Sequence, residues 1–116
     1  MDVAIKKETE EKVEVIDVLT EDDRVVRLEK PFEWEGTTYT SFILDFDKLK
    51  GNDFIKIEHE MNMDNEWTLS PESSASFCIR LAAKAANVNV AVFFNLPLKE
   101  FNKIKNKARN FLLVLA

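Results

Sequence analysis

The stretch VVRLEKPFEWEGTTYTSFILDF, residues 25–46, places β-branched and aromatic residues on both sides of a Glu35-Gly36 pair. Such residues suit a pleated, half-buried surface, and a glycine between two such runs supplies the positive φ of a tight turn. The pattern predicts a β-hairpin with strands over 25–34 and 37–46. In the second strand Thr38, Thr40, Phe42, Leu44 and Phe46 share one face, and Tyr39, Ser41, Ile43 and Asp45 the other. Pro31 has no N–H to give to a ladder, so the first strand is expected at an edge or with a bulge.

Past the hairpin the period changes from two to between three and four. Asn52 or Asp53 can cap a helix reaching about Met63, with Phe54, Ile57 and Met61 on one face. A polar loop that includes Trp67 follows. Ser70-Pro71-Glu72 has the chemistry of a helix start: a capping hydroxyl, proline at the first position, then an acid near the positive end of the dipole. The helix it opens is expected to reach Ala86, with Ala75, Cys78, Ile79, Leu81, Ala82, Ala85 and Ala86 on a broad apolar face. Asn87 and Asn89 suit cap or turn positions, and residues 90–94 read equally as a short helix or a strand. Leu96-Pro97 opens a last helix over 98–115, whose core stripe is Phe101, Ile104, Ala108, Phe111, Leu112 and Leu115. Strands first and helices after predict an α+β domain over residues 24–116, a β-hairpin or small antiparallel sheet packed on three main helices.

Residues 1–23 differ in texture. They hold three lysines against nine acids, a net −6 that exceeds the −5 of the whole chain. So little apolar surface predicts a flexible segment, with a strand over 13–18 at the domain edge as the alternative. The near-neutral remainder disfavours a nucleic-acid binder. One cysteine among 116 residues makes no internal disulfide. The N-terminus lacks the apolar stretch of a secretory signal, and no apolar run approaches bilayer length, so a cytoplasmic protein is expected.

Side chains capable of chemistry are scattered. His59, the one histidine, has Met63 where a zinc helix would place its second histidine. Cys78 sits in an apolar helix face with no base in sight. Asp45 and Asp47 end a strand and no calcium loop follows, and 62–66 has calcium-like oxygens at the wrong spacing. Two glycines cannot build a phosphate loop. No catalytic residue, cofactor or metal ligand is therefore expected, and the chain reads as a protein-binding module without enzymatic activity. Lys99, Lys103, Lys105, Lys107 and Arg109 make the last helix basic, which leaves a small nucleic-acid-binding regulator as the alternative.

The order Leu28-x-x-Pro31, Gly36-x-x-Tyr39, Leu44-Asp45-Phe46, then Leu49-x-Gly51-x-Asp53-Phe54 opening a helix, resembles a known family. Leu81-Ala82-Ala83-Lys84 in an Ala-rich helix, Leu96-Pro97-x-x-x-Phe101 and a final Phe111-Leu112 complete the pattern. It is similar to the tail assembly chaperones of long-tailed bacteriophages over about residues 24–116. The resemblance implies a protein that coats the tape measure protein in the bacterial cytoplasm until tail-tube subunits replace it. The family has no active site to carry over.

For such a protein the apolar end of the last helix is the candidate contact surface: Phe111, Leu112, Leu113 and Val114. Leu113 and Val114 fall outside the core stripe and are expected to meet either a second copy of the chain or the tape measure partner. The amides of residues 1–20 are expected to exchange with deuterated solvent far faster than those of the helices. Protection equal to that of the helices would rule out a flexible segment.

Overall fold

A computed structural model describes residues 23–115, so the flexible segment expected over 1–23 lies outside the described residues apart from Asp23. Strands β1 (Val25–Trp34) and β2 (Thr37–Ile43) form the antiparallel hairpin. Glu35 and Gly36 both have positive φ, 48° and 83°, the signature of a type I′ turn whose twist matches that of its strands. Four helices follow: α1 (Gly51–Met63), α2 (Ala75–Ala86), α3 (Val90–Phe94) and α4 (Leu98–Leu115). The chain is an α+β fold, with the undecided segment 90–94 helical.

The bulge expected at Pro31 is large. Arg27 pairs with Ser41 and Phe32 with Tyr39, so residues 28–31 of β1 stand opposite Thr40 alone. This looping-out removes ladder partners from β1, and one of its orphaned donors is met from a distance. The Glu29 N–H donates to Glu100 Oε2 at 3.1 Å. The extra twist at a bulge also re-aims β2. Phe42 and Leu44 point into the core as expected, but toward the turn the inward residue is Tyr39, while Thr38 and Thr40 are exposed. Beyond Ile43 the ladder ends earlier than predicted, because the Asp45 N–H turns to the Ala85 carbonyl. A short 3₁₀ turn, Phe46–Lys48, then leads to α1.

Caps explain the helix boundaries. Lys50 starts α1, and Asp53 acts three residues in, its carboxylate accepting the Lys50 N–H at 2.8 Å. Ser70-Pro71-Glu72 opens only a 3₁₀ turn, Pro71–Ser73, and the expected long helix begins instead at Ser74. Ser70 donates to Glu72 at 2.9 Å, while the Ser74 hydroxyl oxygen accepts the Phe77 N–H at 3.1 Å. Serines that bond locally compete with helix continuation, and here they break it. At the other end Asn87 adopts the left-handed conformation, and Val88 N–H bonds the Ala83 carbonyl at 3.0 Å, closing a Schellman motif. The Asn89 side chain then accepts the Ala91 N–H and caps α3.

The core centres on α2, which is buried on nearly every side. Phe77, Ile79 and Ala82 have no exposed surface, and Ala83 and Ala85 keep neighbouring helices close. Ala75, placed on this face by its spacing, is exposed, since it occupies the first turn before the other elements close in. Phe54 of α1 packs on Phe77 with centroids 4.8 Å apart, and Phe93 of α3 meets Phe42 of β2 edge-on at 4.8 Å. Ile104 and Ala108 present α4 to the same core.

The hairpin bulge hangs on Glu100. Its Oε1 has no aligned donor and is compensated by the Lys103 ammonium at 3.3 Å. Glu100→Ala is expected to lower unfolding stability by about 1–3 kcal/mol, the usual scale for a hydrogen bond to a charged, buried group. Glu100→Gln, which keeps an acceptor oxygen for Glu29, should lose clearly less. Urea denaturation of both variants checks the order.

Candidate partner-binding surface

Helix α4 has 18 residues against the 12 of α2. At 1.5 Å per residue it is about 9 Å longer than α2. Where the body stops, the apolar stripe continues. Phe111 is still held by the domain, stacked on Phe46 at 4.8 Å and 15°, and Leu112 is half-buried against the core. Beyond them Leu113 is 44% exposed, Val114 83% and Leu115 66%. Leu115, expected in the core stripe, is thus corrected to a surface position. Its angular position is right, but among the described residues no element reaches far enough to cover it. Of the four candidate residues, Phe111 and Leu112 serve the fold, while Leu113 and Val114 are free to meet another molecule.

A second apolar surface was hidden at the end of α1 and in the segment 64–70 read as a polar loop. Met63, Trp67 and Leu69 are 84%, 74% and 89% exposed. Beside Trp67 lies an open groove of about 260 Å³ walled by Met61, Pro71 and Phe77. Sequence alone held one usable signal, a tryptophan in a loop that opens Asp64-Asn65-Glu66. A further recess of about 360 Å³ lies between the β1 bulge and the first turn of α4, lined by Leu28, Pro31, Phe32 and Leu96.

The electrostatics concentrate on Arg80, a core residue the apolar pattern of α2 concealed. Its guanidinium is almost wholly buried and bonds Asp64 at 2.7 Å and Ser76 at 3.1 Å, with Glu66 at 3.5 Å and Glu60 at 3.6 Å. The same guanidinium lies 5.7 Å from the Phe94 ring centre. Within 62–66 the Asp64 and Glu66 carboxylates, which resemble calcium ligands, are turned to this cation. Among the described residues no group of His, Cys, Asp or Glu could hold a metal ion.

The other groups weighed for chemistry lie apart from one another. His59 is exposed on α1. Cys78 is buried, its thiol directed at the Pro71 carbonyl 3.6 Å away, and burial pushes it above the ordinary thiol range. Asp45 pairs with Arg24 at 3.5 Å. The basic face of α4 is partly engaged inside the domain: Lys99 with Glu29, Lys103 with Glu100, and Lys107 with the Asp23 carbonyl at 2.6 Å. No described helix is long and apolar enough to cross a membrane.

No family model matches the chain, and no curated protein or solved structure is significantly similar to it. The likeness to tail assembly chaperones rests on element order and residue spacing.

Two surface carboxyls, one exposed and one half-buried, titrate below the ordinary 4.5. Glu29 is held down by its hydrogen bond to Lys99 and then by that cation's charge. Glu72 is held down by its own backbone N–H and the Ser70 hydroxyl, with Arg109 adding a smaller effect. A carboxyl whose folded pKa is depressed contributes stability above its unfolded pKa, and that contribution is lost as pH falls through the lower folded value. Thermal melts between about pH 5 and about pH 3 should therefore show falling stability. Glu29→Gln with Glu72→Gln should flatten that slope slightly, since both groups are at the surface.

Proposed function

We propose that this protein is a tail assembly chaperone of a long-tailed bacteriophage or prophage, which keeps the tape measure protein soluble in the host cytoplasm. The carrying observation is the projecting, uncovered end of α4. Leu113 and Val114 stand on a rigid helix beyond the body of the domain, where they can be laid against an apolar stripe of a partner helix. The order of hairpin, α1, Ala-rich α2 and Pro-initiated α4 supports the reading, because it is the order that carries the resemblance. On this reading the protein works by contact and performs no chemistry. A surface of a few aliphatic side chains has little directional demand, which suits a chaperone that must occupy many similar sites on one long chain.

Burying Leu113 and Val114 would contribute roughly 3–5 kcal/mol before the costs of association. The test looks beside the gene for a reading frame that encodes a long, helical, Ala-rich protein and co-expresses the two. The wild-type chain should hold that protein in the soluble fraction and co-purify with it. Leu113→Ser with Val114→Ser should leave the melting temperature nearly unchanged and abolish capture. A wild-type chain that leaves the large protein insoluble overturns the proposal. Tight, salt-sensitive binding to duplex DNA would favour a nucleic-acid regulator instead.

A further inference from the structure

The two uncovered apolar surfaces carry opposite charge. Residues 58–72, which present Met63, Trp67 and Leu69, contain Glu58, Glu60, Asp64, Glu66 and Glu72 and no Lys or Arg. Residues 101–115, which present Leu113, Val114 and Leu115, contain Lys103, Lys105, Lys107 and Arg109 and no acid. Arg80 and Lys84 answer only part of the first group, through Glu60, Asp64 and Glu66. One surface is a shallow groove and the other a projecting helix end. A groove of about 260 Å³ is smaller than the roughly 300–1,000 Å³ of small-molecule sites and is on the scale of side chains.

The two charged stretches approach each other at one point. Glu72, at the end of the acidic stretch, and Arg109, one turn before Leu113, wall the same small cleft of about 130 Å³. Two complementary patches on one chain, linked through Glu72 and Arg109, suit a two-fold dimer, in which each patch meets its counterpart on the other copy. We infer that the chain pairs with a second copy of itself, the residue 113–115 end of α4 in each copy seating on the Met63, Trp67 and Leu69 surface of the other. Residues 1–23, at net −6, have the wrong sign for the acidic groove. The inference does not depend on the chaperone proposal. It does imply that Leu113 and Val114 are covered while no partner is present, so that partner capture competes with pairing.

The test uses the full chain. Trp34→Phe leaves Trp67 as the single indole. Its emission should shift to the blue as concentration rises, in step with a doubling of mass in sedimentation equilibrium, and both changes should weaken with added salt. Trp67→Ala and Val114→Asp, each with an unchanged circular dichroism spectrum, should raise the dimer dissociation constant roughly tenfold or more, as loss of a central anchor does. Mixing the two variants should restore part of the affinity, because the mixed dimer keeps one intact contact of the two. A chain that remains monomeric at several hundred micromolar (on the order of a weak-complex Kd) overturns the inference. A dimer indifferent to Trp67→Ala, or no gain on mixing, does so as well. A monomer whose Trp67 emission shifts only when a cationic amphipathic helical peptide is added assigns the surface to a separate partner.

Discussion

A helix enclosed on nearly all sides sets the terms for the rest of this fold. Helix α2 buries eight of its 12 residues, and α1, α3, α4 and the hairpin are arranged around it. In a domain of this size there is room for one such helix, and its alanines allow several neighbours to approach it together. Total enclosure also forces the buried cation on its flank, Arg80, to bring its partners inside reach. The carboxylates that answer it come from α1 and the loop beyond, at 2.7–3.6 Å. That loop is shaped by this demand, with Asn65 in a left-handed conformation at φ 60°. Turning its acids inward leaves its apolar members, Trp67 and Leu69, on the outside together with Met63 at the end of α1.

Glu100 plays a similar part at the opposite end. A bulge of four residues against one gives the hairpin strong twist but strands its backbone groups, and a carboxylate from the first turn of α4 restores one of them. The hairpin is therefore fastened to the helix layer by a specific polar contact as well as by Phe42 and Val26. A buried carboxylate used this way makes the placement of the bulge a matter of register, since sliding β1 by one residue would separate Glu29 from its acceptor.

Most of the architecture was legible in local pattern. The I′ hairpin is written in Glu35-Gly36, the bulge in Pro31, the end of α2 in Asn87 and the start of α4 in Pro97. These features depend on residues that act through their own backbone. What the pattern could not convey depends on separation in space. Ser70 and Ser74 offer the same capping chemistry, and only packing selects Ser74. Arg80 looks like a solvated position at helical spacing until α1 and its loop close over it. Leu115 lies at the right angle on α4 for burial, but sequence does not say where the body ends. For the contact surface, Leu113 and Val114 were read from the stripe they fall outside. The Met63, Trp67 and Leu69 surface was masked by its polar neighbours, whose engagement with Arg80 is a tertiary fact.

Cys78 lies where three elements meet, on α2 beneath the Pro71–Ser73 turn and beside Lys105 and Arg109 of α4. Its thiol is enclosed and held in the protonated form by burial, so in the closed domain it is a poor nucleophile. A disulfide reagent can reach it only when the turn lifts from α2. The rate of modification of this single sulfur thus measures a local opening equilibrium, and comparison with the global unfolding free energy tells whether the seam between α2 and α4 breathes on its own. With no second thiol in the chain to compete, the protein carries its own gauge of the joint that supports the projecting end of α4.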